Sequence, residues 1–321
     1  MDKTEARVPR SRSAAVVQQS LRHTLRKSGP AGELLLLGLF CLIWSSAFAP
    51  AKIALVDCPP LLLLATRFLA AGLLCLALGR WRGEGAWPDG RALATLILLG
   101  LLNNAIYLGL SWSGMQTVSS GFTAVLISAN PLLTAAIAGP VLGERMTLAK
   151  AGGLLLGLVG VTLVVRSRLG GGMEAGPGTL LVAGGLISLV AGTIAYKRLA
   201  PQGVGPWTGN GFQLLAGGLA LMPVALTVED AGSVRLTLPL VLTYLWMVLG
   251  VSVGGYFLWF RILARRSATA ASSLHFLMPP LGLGFGWLIA GESVPAGDLI
   301  GILPIAAGIA LVTRPGRRAL P

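Results

Sequence analysis

Ten apolar runs, separated by short joints of proline, glycine and charge, occupy this chain almost from end to end. They cover about 33–54, 61–79, 92–111, 119–142, 147–166, 178–197, 208–228, 237–262, 268–290 and 296–313. A segment of roughly 20 mostly apolar residues crosses the hydrocarbon of a bilayer as a helix, which satisfies its own backbone there. The joints, among them Asp57-Cys58-Pro59-Pro60 and Gly143-Glu144-Arg145, read as turns and leave no room for a soluble domain. Only 12% of the 321 residues are charged and 54% are apolar. A soluble domain carries roughly a quarter charged residues, so a soluble enzyme is excluded. Disorder is excluded by the apolar excess. Three cysteines, with Cys41 and Cys75 inside apolar runs, do not make a disulfide scaffold. The fold class is an all-α membrane protein of ten transmembrane helices.

The net charge of +13 invites a nucleic-acid reading. Its placement argues against one, because Lys and Arg sit at the edges of apolar runs rather than on one basic face. With the N-terminus inside, 20 Lys and Arg fall on the inner side and four outside: Lys52, Arg166, Arg168 and Arg235. Arg67 falls within a helix. That bias follows the positive-inside rule. It predicts a multi-pass protein of the cytoplasmic membrane with both termini cytoplasmic. Residues 1–30 form a basic tail. The following run is too long for a signal-peptide core.

The second half of the chain repeats the first. At an offset of 148 residues, Gly143-Glu144 meets Gly291-Glu292, and Gly153 and Gly160 meet Gly301 and Gly308. At 146, Pro60 meets Pro206 and Arg67 meets Gln213. The units are 31–168 and 176–314, with five helices each. An odd number makes the second unit enter the membrane inverted. Inverted repeats are an architecture of secondary transporters, whose sites lie near midplane where the repeats meet.

Several stretches carry a family resemblance: Leu126-Ile-Ser-Ala-Asn-Pro131, Gly143-Glu-Arg-Met-Thr147, the glycine-spaced run Gly152 to Gly160, and Ile43-Trp-Ser-Ser-Ala-Phe48 with Lys52 and Arg67-Phe68. The second half repeats the signature as Met278-Pro-Pro280, Gly291-Glu292 and Gly297 to Gly308. Over residues 33–313 the chain resembles the EamA branch of the drug/metabolite transporter superfamily. It departs at Ser293, which follows Glu292 where the first half has Arg145. The resemblance implies ten helices, a central cavity, alternating access and export of small metabolites, often amino acids.

Candidate site residues follow from polarity at depth. Pro131 in helix four and Pro279 in helix nine each remove a backbone hydrogen bond, freeing the carbonyls of Ile127 and His275. Paired breaks at matching places point to the binding region, although a proline kink also serves packing. His275 lies about seven residues into helix nine, ~10 Å deep. As the deep group of suitable pKa it is the candidate for proton coupling, against the alternative of a neutral histidine bonded to a neighbouring helix. Asn103, Tyr107 and Ser111 are spaced for one face of helix three, as are Ser252, Tyr256 and Trp259 in helix eight. With Trp44 in helix one and Asn130 beside the break, they make a substrate cavity of Trp44, Asn103, Tyr107, Asn130, Tyr256 and His275. The alternatives are helix–helix hydrogen bonds and interfacial belts. Arg67 reads as an arginine that snorkels or pairs with backbone rather than as a carboxylate site. Glu144 and Glu292 read as helix-end caps.

Metalloprotease, thioredoxin-like and phosphate-loop motifs are absent. The expectation is a transporter rather than an enzyme, with no metal and no cofactor. Its partners are a small neutral or zwitterionic substrate and the lipid bilayer, with no nucleic acid. The alternative from another class is an intramembrane enzyme or a non-transporting membrane scaffold. The sequence does not give the oligomeric state.

Overall fold

The computed structural model describes residues 30–84, 87–118, 123, 126–127, 129–166, 176–199, 203–290 and 296–313. The basic tail, Glu292 and Arg317 and Arg318 near the C-terminus therefore lie outside the described residues. The chain divides into two compact units, Met1–Leu39 and Phe40–Pro321. In the first, the described part opens an apolar helix on which Leu34 and Leu35 are exposed. The second unit holds everything discussed below.

The helices are α1 (Pro30–Ser45), α2 (Phe48–Ala54), α3 (Pro60–Trp81), α4 (Gly90–Gly114), α5 (Asn130–Leu142), α6 (Leu148–Arg166), α7 (Pro177–Leu199), α8 (Pro206–Val228), α9 (Leu238–Arg265), α10 (Ala268–Ser272), α11 (Met278–Ala290) and α12 (Ala296–Thr313). Among the described residues there is no strand. Among the described residues, five helices, α3, α4, α7, α8 and α9, are long and apolar enough to cross a membrane, and shorter apolar helices accompany them. Large apolar side chains such as Leu73, Leu180, Ile187, Leu219 and Leu303 stand exposed on the helix surfaces. So much apolar surface suits hydrocarbon rather than water. The protein is a membrane protein.

Several apolar runs are not single helices, and the reasons are local. The run 33–54 breaks between α1 and α2 at Ser46-Ala47. Pro50 has no N–H to offer the carbonyl of Ser46, four residues back, and the Ser46 hydroxyl bonds the carbonyl of Ile43 instead (2.8 Å). In the run 119–142, α5 starts only at Asn130, with Pro131 in its first turn. There the missing N–H costs nothing. The run 268–290 passes through a tight 3-10 segment, Ser273–Leu277, before α11. The His275 carbonyl that Pro279 would leave free accepts the N–H of Met278. Two spans contain wider π turns, Leu101–Ile106 in α4 and Met247–Gly255 in α9. Their starts are 146 residues apart.

Helix pairing repeats the same offsets. Helices α3 and α8 run antiparallel in close contact. A Cβ at Gly72 would lie 2.7 Å from Leu215 Cγ, and one at Gly218 2.9 Å from Leu69 Cγ. At the 146-residue offset, Gly72 corresponds to Gly218 and Leu69 to Leu215, so the contact is reciprocal. Helices α6 and α12 do likewise: a Cβ at Gly153 would meet Gly308 O at 2.7 Å, and one at Gly160 would meet Gly301 O at 2.6 Å. Small residues permit such backbone approach.

Carboxylates close the helix ends. Glu229 accepts the N–H groups of Leu61 and Leu62 at the start of α3 (2.9 and 2.8 Å). Glu84 accepts those of Trp207 and Thr208 at the start of α8 (3.2 and 2.9 Å). Glu144 accepts Ala268 N–H (2.6 Å) and the Thr269 hydroxyl (2.8 Å) at the start of α10. Each satisfies orphan donors and complements the positive helix end. Arg235 pairs with Asp57 (3.2 Å), tying the joint before α3 to the joint before α9.

Candidate functional site

The π turn of α9 places Ser252 among three helices. Its hydroxyl accepts Arg67 Nε from α3 (2.8 Å), and its carbonyl accepts Asn210 Nδ2 from α8 (3.2 Å). A π turn exposes carbonyls and widens the register locally. In α4 it does the same: Leu102 O accepts the Ser188 hydroxyl (2.8 Å), and Asn104 Nδ2 donates to Gln213 O (3.0 Å).

On one side of Ser252 lies a cavity of about 50 Å³, lined by Trp44, Arg67, Tyr107, Ser111, Trp112 and Tyr256 among others. That volume admits a few waters and not a metabolite, so a ligand would enter only as the walls move. Arg67 is 2% exposed. It has not snorkelled: its guanidinium stands 5.3 Å from the Phe68 ring and 5.9 Å from Trp112. Besides Ser252, its polar partner is Met247 Sδ, at 3.9 Å. Among the described residues no carboxylate pairs with it. Two residues lining the same cavity, Tyr256 and Ser111, have buried hydroxyls without a hydrogen-bond partner among the described residues, that of Ser111 set against Gly185 of α7. Unpartnered buried polar groups are costly and call for an explanation.

The aromatic wall continues away from the cavity. Trp44 packs on Tyr256 (ring centroids 4.9 Å) and on Phe40 (5.3 Å), Phe40 on Trp259 (5.5 Å), and Trp259 edge-on to His275 (5.1 Å). Of the six cavity residues expected from sequence, Trp44, Tyr107 and Tyr256 line this space together. The other three are buried but stand apart from it. His275 lies behind the wall, with Nδ1 3.0 Å from the Ser272 carbonyl. Asn130 accepts the Thr134 hydroxyl within its own helix (2.9 Å), and its amide nitrogen is unpartnered. Asn103 falls in the π turn, where positions four apart no longer share a face, and it abuts Gly192 of α7. Pro131 and Pro279 open the helices that follow the breaks. Sequence reasoning passed over Arg67 as a site residue. Its depth within a run and its correspondence to a neutral Gln213 were the available signals.

On the other side of Ser252 lies a larger cavity of about 230 Å³, lined by Tyr196, Asn210, Gln213, Phe260 and Arg261 among others. The side-chain oxygens of Asn210 and Gln213 are unpartnered. Arg67 is the eighth residue of α3 and Gln213 the eighth of α8. Because the two helices are antiparallel, the cavities are offset toward opposite ends of the pair. Arg67, Ser252 and Asn210 form the hydrogen-bonded septum between them.

Apolar helices around buried polar and aromatic cavities define a membrane transport protein. The EamA-like transporter family matches residues 31–166 and 176–314, and the chain belongs to it. It is 26% identical over 283 residues to the uncharacterised transporter YvbV of Bacillus subtilis, covering 87% of this chain and 90% of that one. It is 28% identical to the protein PecM of Dickeya dadantii, covering 84% and 88%. It is also 28% identical to an S-adenosylmethionine/S-adenosylhomocysteine transporter of Chlamydia trachomatis, covering 87% and 88%. A solved crystal structure, 22% identical, superposes with a TM-score of 0.73 over 89% of this chain and 97% of that one, so the two share a fold.

Proposed function

We propose that this chain is a secondary transporter that exports small neutral or zwitterionic, amino-acid-like metabolites across the cytoplasmic membrane by alternating access. The reading takes the chain as ten transmembrane helices in two inverted five-helix repeats, 31–168 and 176–314, with both termini cytoplasmic. Its main support is the pair of cavities on either side of the Arg67–Ser252–Asn210 septum, offset toward opposite ends of α3 and α8. If the halves interconvert, one cavity closes as the other opens, which is what alternating access requires. The reciprocal contacts of Gly72 with Leu215 and Gly218 with Leu69 agree with a two-fold relation between the halves. Proton coupling, if present, runs through His275. Asn103, Asn130 and the helix starts at Pro131 and Pro279 belong to the surround of the path rather than to the cavity wall.

S-adenosylmethionine and S-adenosylhomocysteine, for which the Chlamydia relative is named, carry an amino-acid head on an extended body. A polar head and a partly apolar body suit the aromatic and hydroxyl-lined cavity here as well. The test is flux of amino acids and toxic amino-acid analogues through purified protein in liposomes, matched to cell growth with and without overexpression. Saturable flux that falls at least tenfold in Tyr107→Ala with Asn130→Leu supports the reading. Wild-type flux in that double variant takes both residues off the path, and no flux for any compound overturns the reading.

A further inference from the structure

We propose that the substrate carries a carboxylate, that Arg67 receives it, and that the hydroxyl of Tyr256 completes its hydrogen bonds. This deepens the transport reading and rests on it.

Among the described residues, the Arg67 cation beside the smaller cavity has no counter-ion. Burying a charge is expensive unless something pairs with it. Arg67 spends Nε on Ser252 and reaches Met247 Sδ only at sulfur distance. A guanidinium has five donors in a planar fork that fits a carboxylate's two oxygens. Several of those donors remain for a ligand. The Tyr256 hydroxyl is independent evidence, since it is buried, belongs to a residue lining the same cavity and lacks a partner among the described residues. It can donate to a carboxylate oxygen. A single cation with one neutral donor favours one negative group rather than a dianion.

The remaining walls include Trp44, Tyr107 and Trp112 beside the polar Thr123 and aliphatic side chains. Aromatic faces accept an apolar body and also attract an ammonium group. The site therefore takes amino acids and simple monocarboxylates. It rejects net-cationic amines, which would place a second uncompensated charge beside Arg67. The second half of the chain carries Gln213 where the first carries Arg67, so the charge belongs to one half only.

The test uses full-length protein in liposomes and in detergent, with three matched compounds on each of two bodies. They are leucine, isocaproate and isoamylamine, and phenylalanine, hydrocinnamate and phenethylamine. Each is measured for flux and for the rise in melting temperature on binding. The variants are Arg67→Gln, which installs the residue of the other half, Arg67→Lys, and Tyr256→Phe, which removes only the orphan hydroxyl. The expected result is flux and stabilisation by the amino acids and acids, and neither by the amines. Arg67→Gln should lose at least about tenfold in affinity and Tyr256→Phe several-fold, with Arg67→Lys between wild type and Arg67→Gln. Equal handling of amines, or a folded Arg67→Gln with wild-type affinity, overturns the carboxylate site and leaves the transport reading standing. Carboxylate-specific stabilisation without flux upholds the site and overturns transport. Neither stabilisation nor flux by any of the six overturns both.

Discussion

Gly152 and Gly153 are chain neighbours with opposite surroundings. A Cβ at Gly152 meets nothing within 4 Å, whereas one at Gly153 would lie 2.7 Å from the backbone oxygen of Gly308. Gly152→Ala should stabilise by about 0.4–1 kcal/mol, because alanine loses less chain entropy in a helix. Gly153→Ala should destabilise by about 1–3 kcal/mol, because the obstacle is backbone and cannot swing aside. Tryptophan-monitored melting in detergent reads both. At this scale the sequence is informative about residue type and poor about direction. Trp44, Tyr107 and Tyr256 were legible as deep groups able to hold a partly apolar ligand. Asn103, Asn130 and His275 were legible as buried, but which neighbour each faces depends on helix rotation. Arg67 was hidden for the converse reason: a long side chain deep in a run can reach either an interface or a cavity, and sequence alone does not choose.

At the scale of elements, Pro50, Pro131 and Pro279 stand in the first turns after helix interruptions, whereas Pro140, Pro223 and Pro304 lie inside continuous helices, so a missing N–H alone does not say where a helix ends. The π turns of α4 and α9 were illegible. No residue type encodes them, and they are held by contacts from other helices, such as Ser188 to Leu102 O and Asn210 to Ser252 O. The capping role of Glu144 was legible from its position at a helix end. The helices that Glu84, Glu144 and Glu229 cap were not legible, because each lies more than a hundred residues away in the chain. The equivalence of Glu84 and Glu229 makes a prediction. Glu84→Gln and Glu229→Gln should each cost about 0.5–2 kcal/mol, the usual worth of a lost cap. The two losses should be similar, and in the double variant they should add to within about 0.5 kcal/mol, since the ends are far apart. Equilibrium unfolding in mixed detergent and denaturant checks this. A negligible loss in either variant would show that water replaces the carboxylate.

At the scale of the whole molecule, the membrane class and the family were legible in the ten runs and the repeated signature. A single cavity was expected, and the pair of cavities was not, because their walls arise where helices distant in sequence meet. The central claim is that the two halves are equivalent and inserted in opposite senses. It is tested most directly at one pair of corresponding positions beside the starts of α4 and α9. Gly90 and Leu236 are 146 residues apart and both exposed. The native cysteines, Cys41, Cys58 and Cys75, are buried. Burial, with Glu229 adding to it, pushes the Cys58 thiol up to about 11. Little of it is thiolate, the form that reacts, so background labelling should be low. The measurement is labelling of Gly90→Cys and Leu236→Cys by a membrane-impermeant thiol reagent, in intact and in permeabilised cells. The account predicts that Leu236→Cys labels in intact cells and Gly90→Cys only after permeabilisation. Labelling of both from the same side would contradict it.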